Sequence, residues 1–350
     1  MRILFFTEDL SEPFDEGIKK SALNIAMALA ERNDVMTICK FGVPSGPLPF
    51  AVKRVDTNRL MLNMEFIRFI HLFQPDVIVY LPSSSGTFAS FLRMGIIKTY
   101  ARRARTVMIN LTPKQLNKFQ KKLIEYIRPD IVLSPSPAEL KIVASIGMMN
   151  SFLPLFVDIS KFKPLKNVER KKTLRKKYEI STNKYIIMHI GHINWGRNLD
   201  AFIPLQIGDN QVVVVGSSST PIDAPKEREL KKRLIDCGIK IIDKYIENIE
   251  ELYQLSDLYV FPVIFEGGCI GVPLSILEAR ACGIPVLATA FGGLKEVFES
   301  VDEGIYYSDC NNFPQKLIAI RKINNPDFKT SNIKKVNDKF YSVLYDIIRP

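Results

Sequence analysis

The chain has 350 residues, 47% of them hydrophobic and 24% charged, with a mean hydropathy of +0.04. That balance excludes a disordered chain and fits a globular protein of about two domains, each long enough to bury its own core. The 48 lysines and arginines outnumber 37 acids, giving a formal net charge of +11, so anionic partners (phosphorylated substrates, anionic lipid or nucleic acid) are favoured over cationic ones. No apolar run approaches the roughly 20 residues of a membrane span. The opening Met1-Arg2-Ile3-Leu4-Phe5-Phe6-Thr7-Glu8-Asp9 reaches acids at once and shows no small-residue cleavage site, so a cytoplasmic protein is expected. The five cysteines are scattered without a C-x-x-C, which reads as reduced thiols. No third ligand stands at metal-site spacing from His189 and His192, so no metal is expected.

Short apolar runs alternate with amphipathic stretches from end to end, the pattern of parallel sheets wrapped by helices. In the first half the runs predict strands at residues 2–7, 35–39, 77–81, 106–110 and 131–134. Ile18, Ala22, Ile25 and Leu29 recur at helical spacing after the first strand. The loop before them, Leu10 to Gly17, carries Pro and Gly breakers and ends in Glu16-Gly17. His71 falls on a predicted helix over residues 66–73, where a core or surface role is expected. Residues 77–124 contain no acid and interleave Phe88, Phe91, Leu92, Met94, Ile96, Ile97 and Tyr100 with Arg93, Lys98, Arg102, Arg103 and Arg105. That stretch is either a core-packed helix with charges facing water or a basic, apolar surface for anionic lipid. A second basic cluster, residues 161–177, has nine basic groups and one acid, Glu169.

Residues 153–164 hold two prolines and weak periodicity, so they predict a linker. Beyond it, strands are predicted at residues 185–190, 211–215, 239–242, 258–261, 285–289 and 304–307, with helices at 227–236, 274–281, 313–323 and 333–348. The fold expected is α/β, with two doubly wound Rossmann-like domains facing across a cleft. The first covers residues 1–152, the linker 153–165 and the second domain 166–330, while 331–350 form a helix that returns to the first domain. Ligands of such sheets bind beyond the carboxyl ends of the strands.

The densest signal is Phe265-Glu266-Gly267-Gly268-Cys269-Ile270-Gly271-Val272-Pro273-Leu274, a Gly-rich turn between the strand at 258–261 and the helix at 274–281. Glycines there let backbone N–H groups approach a ligand, and a helix start adds partial positive charge, which together suit an anion. Glu278, about one turn into that helix, can accept hydrogen bonds from adjacent hydroxyls of a ribose. Two further loops leave the same domain's strands: Gly191-His192-Ile193-Asn194-Trp195-Gly196-Arg197-Asn198 and Gly216-Ser217-Ser218-Ser219-Thr220. Arg197 has the planar fork that suits a diphosphate.

These residues resemble retaining GT-B glycosyltransferases of the family 4 type (group 1, nucleotide-sugar-dependent). Leu153-Pro154 through Val157-Asp158 and Phe162-x-Pro164 look like that family's P-x-G-V-D-x-x-x-F-x-P segment. Ile276-Leu277-Glu278-Ala279-Arg280-Ala281-Cys282-Gly283-Ile284-Pro285-Val286 is similar to its LEAMACGxPVV stretch, and Thr289 to Val297 to its T-x-x-G-G-x-x-E loop. Ile249 to Leu258 match the helix before the site. The resemblance implies a nucleotide-diphosphate sugar as donor substrate on the C-terminal domain and no tightly bound cofactor. The acceptor, a sugar, lipid-linked or glycoconjugate hydroxyl, would lie on the N-terminal domain. By position, Glu278 would hold the ribose and Arg197 the diphosphate. The donor would also meet Gly191, His192, Gly216, Ser217, Gly268, Gly271, Val272, Pro273 and Leu274, and Glu16-Gly17 would form the N-terminal loop facing it.

The chain departs from the pattern in three places. Ile270 stands eight residues before Glu278, where the family has a second Glu, and Glu266 replaces it only if the loop is four residues longer. Gly191-His192 stands for Gly-Arg, and the strand at 77–81 is followed by no histidine. Arg197 and Glu266 are therefore the expected catalytic residues, in a retaining transfer where the departing phosphate takes the acceptor proton. No D-x-D occurs to bridge a metal. The alternatives are a GT-B phosphorylase or epimerase, or a catalytically weak or inactive partner protein. No helix-turn-helix, zinc-finger or aromatic-platform motif supports a nucleic-acid binder. A peripheral place on the inner face of a membrane follows from the acid-free stretch.

Overall fold

The computed structural model describes residues 1–58, 63–216, 224–299, 303–323 and 331–349. It divides into two compact units, Met1–Phe156 with Asp338–Pro350, and Val157–Asn337.

In chain order the first unit contains β1 (Arg2–Asp9), α1 (Gly17–Ala30), β2 (Asp34–Phe41), β3 (Ala51–Arg54), α2 (Met64–Phe73), β4 (Val77–Leu81), α3 (Phe88–Tyr100), β5 (Arg105–Ile109), α4 (Lys118–Ile127), β6 (Ile131–Ser134), α5 (Pro137–Ala144) and β7 (Asn150–Phe152). The strands form one parallel sheet in the order β3-β2-β1-β4-β5-β6-β7. Central strands covered on both faces must be apolar throughout, and β4 is buried at every position. α1 turns Ala22, Ile25 and Leu29 inward, as their spacing predicts. β3 and β7 are not among the predicted strands. Both are short edge strands, and their residues are half-buried or exposed, so no apolar run marks them.

The second unit contains α6 (Val168–Lys177), β8 (Tyr185–Gly191), β9 (Asn210–Gly216), α7 (Ala224–Asp236), β10 (Lys240–Ile242), α8 (Ile249–Leu255), β11 (Leu258–Phe261), α9 (Leu274–Ala281), β12 (Val286–Ala288), α10 (Leu294–Val297), β13 (Ile305–Tyr307) and α11 (Phe313–Arg321). Its sheet is also parallel, in the order β10-β9-β8-β11-β12-β13. The last helix, α12 (Ser331–Ile348), ends in the first unit. There Tyr345 Oη donates to Ala28 O at 2.7 Å and Tyr341 Oη to Glu31 Oε1 at 2.7 Å.

Each sheet reverses its strand order once, between β1 and β4 and between β8 and β11. Loops leave in opposite directions at such a point and open a crevice beyond the carboxyl ends. In the first unit that end is stitched by Glu8, whose carboxylate accepts from Ser83 N at 2.6 Å, Arg93 Nη1 at 2.7 Å and the Tyr80 hydroxyl. Further along the same edge the buried Glu139 accepts from Asn110 Nδ2 at 2.7 Å and Lys114 N at 3.1 Å.

The helical stretch of the acid-free segment is core-packed: Phe91, Met94 and Ile97 of α3 are no more than 1% exposed. The second basic cluster is a pairing surface. Arg175 and Lys171 meet Asp257 at 2.7 Å, and Lys177 meets Glu251 at 2.5 Å.

Burial pushes the Glu139 carboxyl up from 4.5 to about 7, against the hydrogen bonds from Lys114 and Asn110 that pull it down. The folded chain then keeps a proton that the unfolded chain has already released. This contribution to stability is complete below the unfolded value and is lost as pH rises through the folded one, by about 3 kcal/mol at most. We expect the urea midpoint of the native chain to fall between pH 5 and pH 8, and Glu139→Gln to flatten that slope; equal slopes in the two chains would remove Glu139 as the cause.

Candidate functional site

Parallel pairing of β8 with β11 sets Gly191 and Phe261 at one edge of the second sheet, and the loops that follow them carry most of the predicted site. The loop after β8 makes a short 3-10 turn, Trp195–Arg197, and the loop after β11 another, Glu266–Gly268. Their backbones touch. A Cβ on Gly268 would lie 2.7 Å from Gly196 O, so only glycine permits this approach. The loop after β12 is joined to the same Gly-rich turn, since Gly293 N donates to Gly271 O at 2.8 Å. Gly292 holds φ +53° there, with its missing Cβ only 2.2 Å from Gly271 O.

Arg197 is 8% exposed. Its Nη1 donates to Cys269 Sγ at 3.1 Å, a weak acceptor, and its Nε–H is buried without a partner. Among the described residues no carboxylate forms an ion pair with it. A buried cation left this way has unused donors and no counter-charge, which is costly unless an anion completes it.

His189, at the end of β8, is wholly buried, and its Nδ1 lies 3.0 Å from Val260 O. A carbonyl only accepts, so Nδ1 carries the proton and Nε2 presents a lone pair, which has no partner. Burial, with help from Arg197, drives this imidazole down to about 3, so it is neutral at any ordinary pH. His192 is half-buried and His71 is exposed.

Pro273 is the N-cap of α9, with extended backbone at ψ 123°, so the helix begins at Leu274. Gly271, Val272, Pro273 and Leu274 are buried. Glu278 is 4% exposed, and its Oε2 accepts from the Tyr253 hydroxyl of α8 at 2.7 Å. Burial and the Glu278 charge hold that phenol well above its ordinary range, so it stays a donor. Tyr253 was not expected from the sequence; it sits at a position of α8 that reads simply as apolar.

Glu266 is exposed in its turn, whereas Ile270 is 6% exposed and buried as an apolar side chain. Gly216 ends β9, and Ser217 lies outside the described residues. In the first unit Glu16 caps α1 without a side-chain hydrogen bond, and Gly17 opens the helix. Glu16 is raised by burial, then by Asp9 and Asp15, against the pull of Lys19. A cavity of about 830 Å³ opens on the carboxyl edge of the second sheet between Asn198, Val263, Thr289, Phe291 and Cys310, and neither Arg197 nor Glu278 lines it.

Solved structures share this fold along the whole chain. Anabaena Alr3699/HepE in complex with UDP-glucose aligns over 99% of this chain and 100% of its own, with TM-score 0.75 and 16% identity. A glycosyltransferase from Rickettsia africae aligns over 99% and 97%, with TM-score 0.77 and 16% identity. The fold is therefore that of the GT-B glycosyltransferases. Residues 186–322 match the family of glycosyl transferases group 1. Among characterised relatives, the N-acetyl-alpha-D-glucosaminyl L-malate synthase of Bacillus anthracis is 24% identical over 50% of this chain and 49% of its own length. The UDP-Gal:alpha-D-GlcNAc-diphosphoundecaprenol alpha-1,3-galactosyltransferase of Escherichia coli is 26% identical over 54% and 48%. The chain thus spans about half the length of these relatives.

Tyr253 and Glu278 make a coupled pair that a double-mutant cycle can read. A hydrogen bond to a charged group contributes about 1.5–3 kcal/mol. Tyr253→Phe should lower the unfolding free energy by roughly that amount, and by much less in a Glu278→Gln background. Additive losses would show that the phenol does not hold the carboxylate.

Proposed function

We propose that the protein transfers a sugar from a nucleotide-diphosphate sugar to an acceptor hydroxyl with retention, in the synthesis of a surface polysaccharide, glycolipid or glycoconjugate. The observation that carries this reading is Arg197: a buried guanidinium with a free Nε–H and no carboxylate counter-ion among the described residues, at the edge where the Gly-rich turn ends. In this reading the donor diphosphate completes that cation. Backbone N–H groups of the turn meet the phosphates, and Glu278, held by Tyr253, accepts from the ribose hydroxyls. UDP or UDP-glucose in the Anabaena structures supports a nucleotide sugar as donor, without fixing the base for this chain.

In the transfer the anomeric C–O bond to the diphosphate breaks, and the acceptor oxygen bonds to that carbon on the same face. The acceptor proton passes to the departing phosphate oxygen. No protein base is needed, which accommodates the absence of a histidine after β4 and an exposed Glu266. What the protein must supply is charge stabilisation of the leaving diphosphate and fixed orientation of both sugars. We assign the acceptor to the first unit, at the carboxyl ends of β1 and β4 beside the loop that ends in Glu16-Gly17. The reading extends to a lipid-linked acceptor at the cytoplasmic face of a membrane. Among the described residues no helix is long and apolar enough to cross one.

A calorimetric panel of nucleoside diphosphates tests the site. Glu278→Ala should weaken the best of them by about one to two decades. Arg197→Ala should cut turnover by about 10²–10³ and far more than His192→Ala, because only a permanent cation balances the leaving group. Unchanged affinity in Glu278→Ala, or equal losses in the arginine and histidine variants, would refute the assignment. Binding without turnover on any acceptor would favour an inactive partner protein, for which the buried Ile270 argues.

A further inference from the structure

α4 has an unusual division of faces. Of its ten residues only Ile124 is buried. Phe119 is 71% exposed, Leu123 38% and Tyr126 79%. These three stand four and seven residues apart, so they form one stripe along the helix. Lys118 and Lys122 flank it on one side, both exposed, and among the described residues neither enters an ion pair. Lys121 reaches Ser145 Oγ at 3.1 Å, and Glu125 is the one acid of the helix. The N-terminus is fixed by a capping box between Asn117 and Gln120, so the helix is ordered without burying its stripe.

We propose that this face of α4 docks on an anionic bilayer, with Phe119, Leu123 and Tyr126 entering the headgroup layer and Lys118 and Lys122 meeting lipid phosphates. This moves the lipid contact from α3, whose large apolar side chains are buried or half-buried, to the next helix, which begins in the acid-free stretch. Charge complementarity selects the occupant. A second copy of a chain with net charge +11 would bring Lys118 and Lys122 against their own kind, whereas an anionic leaflet pairs with them. An apolar stripe with aromatic ends beside lysines is the composition of a helix lying in the plane of an interface. α4 also starts just past the carboxyl end of β5, so its Phe119 end lies at the edge of the first sheet to which the acceptor is assigned. The inference deepens the reading of a membrane-held acceptor and rests on it only for its purpose.

The test is co-sedimentation of the full chain with phosphatidylcholine vesicles, and with vesicles of equal parts phosphatidylcholine and phosphatidylglycerol, at low and high potassium chloride. The native chain should pellet with the anionic vesicles at low salt and leave them at high salt. Lys118→Gln/Lys122→Gln should lose about 25-fold in partitioning, roughly fivefold per lysine. Phe119→Ser/Tyr126→Ser should lose at least about tenfold, with the melting temperature unchanged because both side chains are exposed. Native chain left in the supernatant, or either double variant pelleting like the native chain, overturns the proposal. So does a dimer in sedimentation velocity that Phe119→Ser/Tyr126→Ser abolishes, since the stripe would then belong to a second copy. UDP titrations on the same preparations read the nucleotide site separately: lost UDP binding with intact vesicle binding would sink the transferase reading and leave the docking face standing.

Discussion

Parallel strand pairing is the constraint from which the rest follows. Within each sheet every strand runs the same way, so every connection after a strand emerges at one edge of that sheet. Chemistry can then be assembled from segments far apart in sequence, because Gly191, Phe261 and Ala288 end neighbouring strands. The crossover that reverses between β8 and β11 leaves room there for a ligand. The loops then close on one another through contacts that tolerate no side chain, Gly196 against Gly268 and Gly292 against Gly271.

Within that frame the second unit leaves its polar groups unbalanced. His189 offers an acceptor and Arg197 a donor, both buried and both unused. A Cβ on Gly191 would lie 3.4 Å from His189 Nε2 and 3.6 Å from Arg197 Nη1, so both groups border the end of β8. Because the imidazole stays neutral, it adds no positive charge beside the guanidinium, and Arg197 remains the one cation of the pair. Glu278 is the opposite case. Tyr253 occupies one of its oxygens and fixes its direction at little electrostatic cost, since a phenol donates without adding a formal charge. One group is left open and the other is oriented, which suits the proposed division of a diphosphate to Arg197 and a ribose to Glu278.

The strands were legible because buried parallel strands are apolar along their length. β4, β6 and β11 have the bounds that their apolar runs predict. β3 and β7 were not, since an edge strand needs only hydrogen bonds from one neighbour and leaves no apolar trace. Site positions were legible where glycine or proline interrupts a pattern, as at Gly268 and Pro273. The partner of Glu278 was not, because a buried tyrosine in a helix looks like core until its hydroxyl is located. Arg280 defeated the reading similarly. It lies where the resembled family has methionine, it is 1% exposed, and it donates to Glu303 O at 2.7 Å and Ile284 O at 2.8 Å. A long charged side chain placed mid-pattern gives no sign that backbone carbonyls will satisfy it.

Charge was the least legible feature, because a basic residue has no meaning until its neighbours are known. The sequence presents two basic clusters of nine residues each, one spread over residues 77–124 and the other packed into residues 161–177. Acids of α8 and the turn after it absorb much of the one at residues 161–177: Asp257 takes both Lys171 and Arg175, Glu251 takes Lys177, and Glu250 takes Lys161 at 3.6 Å. That cluster holds α6 against α8. In the acid-free stretch Glu8 takes Arg93 at 2.7 Å and Asp130 takes Lys98 at 2.5 Å, whereas among the described residues no carboxylate forms an ion pair with Arg102, Arg103, Lys114, Lys118, Lys121 or Lys122. Its helical core positions fill with Phe91, Met94 and Ile97, and its surplus cations are left on the surface. The two basic stretches thus differ in role: the one at residues 161–177 is largely consumed in folding, and the acid-free one keeps part of its charge available to an anion. Net charge measures their sum, and only the fold separates them.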